Sequence, residues 1–366
     1  MAETVTVKKN RIHPVIVLLF GILGICLFFI SNEVTRRYQY ALVFDELSFG
    51  GKAWRFVLCA VLYFACITLV SLAFGEGCKW LYDHERFVAI RKSSMENATA
   101  MKFYQDFKKK VGRIALINHL ILVAILSVLV MVFVVKGGSK TEFSLIIWGI
   151  CFLSVLNPVS RNLRKKEEAK RSRILTEDCD PALSFDIFEL FRMEVEARII
   201  RNNQRLQQAI ACFYLLDYTE MDRKLSQLEG KLMPMQDGQV LLLRGLAALD
   251  MGQPERFREC SEALHRMETA PRTLAVTQKY YQEIRRDWQG RIDLAGPEPA
   301  KALPYVQEEL QKGKFPLFWM DFTFQLAWIE LSLGQKDRAR ENLMLVAERA
   351  GTMAIREKAK KMLENE

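Results

Sequence analysis

The chain has 366 residues, half of them hydrophobic and 26% charged, with 8 Cys, 4 His and a formal charge of +9. The charge is unevenly spread: residues 1–173 carry 25 Lys+Arg against 12 Asp+Glu, a balance of +13, and residues 174–366 carry 27 against 31, a balance of −4. The basic excess thus flanks the apolar runs of the first half, which excludes a nucleic-acid footprint and matches what membrane insertion demands.

Four stretches are long and apolar enough for a hydrocarbon layer of roughly 30 Å, which takes about 20 helical residues. They are 12–30, 54–74, 114–135 and 143–158, and together they define an expected membrane domain over 1–158. Basic residues collect in the N-tail (Lys8, Lys9, Arg11), in the loop 76–113 and after the fourth run, while the loop between runs three and four has only Lys136 and Lys140. Only Arg36 and Arg37 argue the other way, so the positive-inside bias predicts both termini and the loop 76–113 in the cytoplasm. No small-residue cleavage pattern follows Phe29-Ile30-Ser31-Asn32-Glu33, so the first run reads as an uncleaved anchor. Gly21 and Gly24 in that run predict close helix approach. Asn97-Ala98-Thr99 matches a glycosylation acceptor but falls on the expected cytoplasmic side. The cysteines form no C-x-x-C pair, so neither a disulfide framework nor a zinc site is expected.

In the loop 76–113, Met101, Tyr104, Phe107 and Val111 recur at helical spacing beside Lys102, Lys108, Lys109 and Lys110. This predicts a helix that either continues into the third run or lies on the membrane surface. Segment 159–179 is a basic juxtamembrane linker in which Arg161, Arg164, Lys165 and Lys166 would meet anionic head groups together with Lys108, Lys109 and Lys110, each cation contributing on the order of 1 kcal/mol.

From residue 180 onward the pattern is helical without a strand signal. Asp180-Pro181 is a helix start, because Asp caps free N–H groups and Pro is preset for the first turn. One long amphipathic element is expected to run to about Asp217 and to pair with 219–232. Short breaks at Pro234, Gly252-Gln253-Pro254, Pro271, Gly296-Pro297, Lys312 to Pro316 and Gly334-Gln335 divide the rest into antiparallel pairs. Met353 to Glu364 reads as a solvated cap.

Two of these pairs align. Leu241 to Leu264 lies over Phe324 to Ala347, which sets Gly252-Gln253 on Gly334-Gln335, Gly245 on Ala327 and Phe257 on Ala339. The small residue at the crossing, the turn glycine seven later and the small residue beyond it resemble tetratricopeptide (TPR) repeats, although the bulky Phe257 departs from that pattern. The resemblance implies a curved array of helix pairs over 180–366, an all-α chain overall, and a concave groove that grips a protein partner. On that pattern Gln239, Leu242 and Leu246 of one repeat, with Asp321, Phe324, Trp328 and Leu331 of another, would face the groove. Taken singly, Phe318, Phe322 and Trp328 are expected in the core, since their helix is apolar nearly all round, with room for one or two of them to face the groove.

No phosphate loop, nucleophile elbow or zinc-protease motif is present, and no two histidines share a helix face. No catalytic residue, metal site or cofactor is therefore expected. The expected function is a membrane-anchored scaffold, assembly factor or regulatory subunit in a bacterial plasma membrane, with lipids and a protein as partners. The alternative is a sensor or transport-associated protein whose membrane bundle binds a hydrophobic ligand and signals to the helical domain.

Overall fold

A computed structural model describes residues 3–8, 13–43, 87–136, 169–193, 198–270, 274–313 and 315–365, with Lys166 and single positions between 58 and 73. The described chain is mostly helical. Among these residues one stretch, Pro14–Ser31, is long and apolar enough to cross a membrane, with a mean hydropathy of 2.7. A bundle of four such helices is not supported by the described residues. Most of 54–74 and all of 143–158 lie outside them, as do Arg161, Arg164 and Lys165.

The first half begins with an element that no sequence pattern announced. Strand β1 (Thr4–Lys8) pairs antiparallel with β2 (Phe87–Arg91), with Thr4 opposite Arg91 and Lys8 opposite Phe87. Between them α1 (Pro14–Val43) carries large apolar side chains outward, including Leu18, Leu19 and Phe29. Gly24 leaves room on this helix for a neighbour: Cys66 Sγ donates to its carbonyl at 3.0 Å, and a Cβ there would stand 2.7 Å from Val70.

After β2 come α2 (Lys92–Glu96) and α3 (Ala98–Lys136), the latter a single helix of 39 residues. Asn97 separates them, its Oδ1 accepting from Thr99 N and Ala100 N, both at 3.1 Å, and so starting α3. The expected helix at 101–111 is the first part of α3, and the expected third span is its continuation.

The second half is a series of helical hairpins. Helix α4 (Pro181–Phe191) is capped by Asp180, which accepts from Leu183 N at 2.9 Å. The single element expected to run to Asp217 is two helices here: α4 ends at Phe191 and α5 (Arg198–Tyr214) packs back against it. Asp217 then caps α6 (Tyr218–Ser226) through Glu220 N at 3.0 Å. Helices α7 (Pro234–Asp250) and α8 (Pro254–Glu268) form the next pair, then α9 (Ala275–Ala295) with a 3-10 turn (Pro299–Ala302) and α10 (Leu303–Lys312). Helices α11 (Pro316–Ser332) and α12 (Lys336–Arg349) follow, and α13 (Ala354–Glu364) ends the chain.

The first helices of successive pairs stack on one another, α5 on α7 and α7 on α9. The α7–α9 contact depends on Gly245, where a Cβ would lie 2.4 Å from the Trp288 indole. That ring donates to Leu242 O at 3.3 Å and meets Phe257 edge-on at 5.3 Å. Phe257 of α8 thus packs against the next pair as well as its own.

Helix α13 is more than a solvated cap. Ile355 and Ala359 are buried in one core with Phe185, Leu206, Leu243 and Leu317, which joins the last helix to the first pairs. The turn before it closes on the start of the domain: Thr352 N donates to Cys179 O at 3.1 Å, and Thr352 Oγ1 donates to Asp180 Oδ1 at 2.6 Å. Gly351 has a φ of +52° and a Cβ there would stand 2.1 Å from Cys179 O, so this closure requires glycine. The array is closed on itself.

Candidate functional site: a cleft inside the closed array

Closure leaves a cleft of about 720 Å³ where the helix ends converge. Helix α5 supplies Phe213 and Tyr214, followed by Leu216 and Tyr218. Helix α7 supplies Leu249 and Asp250 from its last turn, and α9 supplies Arg291 and Leu294. Helix α11 presents Asp321, Phe324, Gln325 and Trp328 at i, i+3, i+4 and i+7, one continuous face. Helix α13 closes the far side with Ile355, Lys358, Lys361 and Met362. The walls are mainly apolar, and Trp328 stays 48% exposed although its helix neighbours Ala327 and Ile329 are fully buried.

The polar groups are arranged in order. Arg291 gives Nε to Asp250 Oδ1 at 2.9 Å and Nη2 to Oδ2 at 3.2 Å, while the Tyr218 hydroxyl donates to Asp250 Oδ2 at 2.6 Å. Burial works against the charge on Arg291, but Asp321 and Asp250 together more than offset it and the guanidinium stays protonated. Asp321 Oδ2 accepts from Gln325 Nε2 at 2.9 Å. Burial pushes the Asp321 carboxyl up, the Asp250 charge adds to that, and Arg291 opposes both. Burial and the adjacent Asp250 likewise raise the Tyr218 hydroxyl. Leu216, at the cleft edge, holds a φ of +57°, an uncommon backbone for a branched side chain.

Of the residues expected in a groove, Asp321, Phe324 and Trp328 come together here. Leu242 and Leu246 instead pack on the Tyr281–Trp288 cluster, because Gly245 draws that ring onto α7. Leu331 lies against the main core and Gln239 is half-buried away from the cleft. Phe318 is 42% exposed and Phe322 packs beside Tyr305 in a separate cluster. Asp250 and Arg291 were not legible as site residues, since a charge at a helix end ordinarily faces water. A second depression, over Ser261, Glu262, His265, Arg266 and Arg285, is lined by polar side chains alone. Among the described residues no group of three His, Cys, Asp or Glu could hold a metal.

A second constellation ties the first half of the chain to the helical domain. Ser94 Oγ donates to Asp186 Oδ1 at 2.5 Å and Asn97 Nδ2 to Asp186 Oδ2 at 2.8 Å, so α2 and the start of α3 are tied to α4. Phe191 meets Tyr104 and Phe107 edge-on at 5.3 and 4.8 Å. The buried Arg171 guanidinium covers Phe191 at 4.3 Å and Phe107 at 5.1 Å. Lys108, Lys109 and Lys110 follow on α3, all exposed, and Lys166 is exposed as well.

No protein-family model, curated protein or solved structure matches the chain.

Proposed function

We propose that the protein is a membrane-anchored scaffold that holds its helical domain at the cytoplasmic face of a bacterial plasma membrane. There it docks a protein partner in the α5–α13 cleft, as an assembly factor or regulatory subunit of a membrane complex. The observation that carries this reading is the cleft itself. It leaves a large indole, Trp328, half exposed beside Phe324 and a charged floor, an apolar surface open to a partner. The order of the hairpins, with first helices stacked toward the inside, agrees with the resemblance to tetratricopeptide repeats.

Several features support the membrane part. Besides the four apolar runs, α1 turns apolar side chains outward from Val15 to Ile30. The β1–β2 pairing joins the N-tail to the loop 76–113, and Ser94 joins that loop to Asp186 of the helical domain, which supports a reading with all three on one side of the membrane. That is the arrangement the basic residues favour. The exposed Lys108, Lys109 and Lys110 follow the contacts of α3 with the domain, and Lys166 is exposed as well, which supports contact with anionic head groups.

A second reading has one observation in its favour. Helix α3 runs unbroken from the Asp186 clamp through its apolar part, so a ligand that moved the membrane end would move the clamp. This is the sensor alternative.

The test of docking is retention of protein partners by the intact chain purified from its native membrane in mild detergent. Trp328→Ala should lose a stoichiometric partner that Met344→Ala, on an equally exposed site of α12, retains. Equal retention by both, with unchanged thermal stability, removes the cleft as the docking site.

A further inference from the structure

The cleft also specifies the chemistry of its occupant, an inference that rests on the docking reading above. We infer that the α5–α13 cleft receives an acidic peptide segment of a partner protein, with an apolar side chain seated between Trp328 and Met362 and carboxylates held by Lys358 and Lys361.

The argument is one of charge complementarity. Arg291 is committed to Asp250, whose carboxylate accepts two bonds from that guanidinium and one from the Tyr218 hydroxyl. Asp321 is recessed on the α11 face and hydrogen-bonded to Gln325. What remains for a ligand at the rim is cationic. Lys358 and Lys361 lie one turn apart on α13, both exposed; among the described residues neither is within ion-pair distance of a carboxylate, although the charge of Lys358 acts on Asp321 and that of Lys361 on Glu357. Their neighbour Lys360, which does not line the cleft, is bound to Glu357 at 2.8 Å.

The apolar groups fit the same geometry. Ile355 and Met362 flank the two lysines along α13, while Phe324 and Trp328 form the opposite wall. A segment entering here passes two ammonium groups before it meets an apolar slot. A basic segment would have to cross those lysines to reach Asp321, and a wholly apolar one would leave them unused.

Titration separates these cases. The intact protein is placed in phosphatidylcholine nanodiscs, so that no anionic lipid competes. A fluorescein-labelled synthetic peptide of Glu, Leu and Phe is then titrated against its counterpart with Lys in place of every Glu, followed by anisotropy. The acidic peptide should bind, lose affinity about tenfold in Lys358→Glu/Lys361→Glu, regain it in Lys358→Arg/Lys361→Arg, and weaken as salt rises. Trp328→Ala should weaken it independently of salt. Preference for the lysine peptide, with sensitivity to Trp328→Ala, overturns the acidic assignment and leaves docking intact. Binding of neither peptide, or acidic binding indifferent to both lysines, also overturns it. The partner-retention comparison at Trp328 judges docking separately.

Discussion

Lys224 Nζ donates to Glu189 Oε2 at 2.6 Å, and solvent reaches neither side chain. The same carboxylate accepts from Gln208 at 2.6 Å and from Arg192 at 2.8 Å, and the Lys224 ammonium stands 4.9 Å above the Phe185 ring. Arg91 of β2 also approaches the Phe185 ring, at 4.8 Å. One buried ion pair thereby joins α6 to α4, the helix whose Asp186 also clamps α2 and the start of α3. Taking one partner away strands a charge in the core, which costs about 3–5 kcal/mol. Glu189→Gln should therefore lower stability far more than Glu189→Leu/Lys224→Met, in which both charges are gone. Thermal unfolding of the three proteins in one detergent checks the order.

Burial alone would raise the Glu189 carboxyl, but Lys224, Arg192 and the hydrogen bonds outweigh it and hold it below the ordinary value of 4.5. A depressed carboxyl stabilises the fold above its unfolded value, and that contribution is lost as pH falls through the folded value. Unfolding temperature should drop below about pH 4.5, and less steeply in Glu189→Leu/Lys224→Met.

Asp287 has the opposite sign. Burial pushes it up from 3.8 to about 6, against the Tyr305 hydroxyl that donates to it at 3.0 Å. A raised carboxyl favours the fold only while protonated, so its contribution falls as pH rises from about 4 through 6. Asp287→Asn keeps the acceptor for Tyr305 and should gain roughly 1–2 kcal/mol at pH 7, with a flatter profile. A stability scan from pH 4 to 8 measures it.

Ring closure is tested at Gly351. Alanine there meets both a left-handed backbone and the Cys179 carbonyl, and should cost about 2–4 kcal/mol. Gly252→Ala faces only the backbone term, since its φ is +65° with open space around it, and should cost about 1 kcal/mol. Faster amide exchange over 175–183 in Gly351→Ala alone would locate the damage at the closure.

The clamp on α3 is tested at Asp186. Asp186→Ala removes the acceptor for Ser94 and Asn97 and should speed amide exchange across 87–107 while α11 to α13 keep their protection. Unchanged exchange over 87–107 would mean that the aromatic contacts of Phe191 hold the helix without the carboxylate.

The sequence revealed what is local. Gly252-Gln253-Pro254 and Gly334-Gln335 mark turns that exist, and Asp180-Pro181 starts the helix it was read to start. Asp321, Phe324 and Trp328 share a face because their spacing is helical, which is visible in any listing of the chain. The missed features are those that join distant segments. β1 and β2 are five residues each and about eighty positions apart, with no turn between to betray the pairing. Thr352 reaches Asp180 across 172 positions. Leu242 and Leu246 were drawn to the groove because Gly245 was read as serving its own pair, when it admits Trp288 of the next. The break between Phe191 and Arg198 was hidden because the apolar spacing continues through it.

The most direct measurement of docking places a photo-cross-linking amino acid at position 328 of the intact protein in its native membrane, with position 344 on α12 as the comparison site. Docking in the cleft predicts one dominant adduct of defined mass from 328, competed by the acidic peptide, and none from 344. Equal adducts from both positions, or none from 328 while the partner still co-purifies, would contradict it.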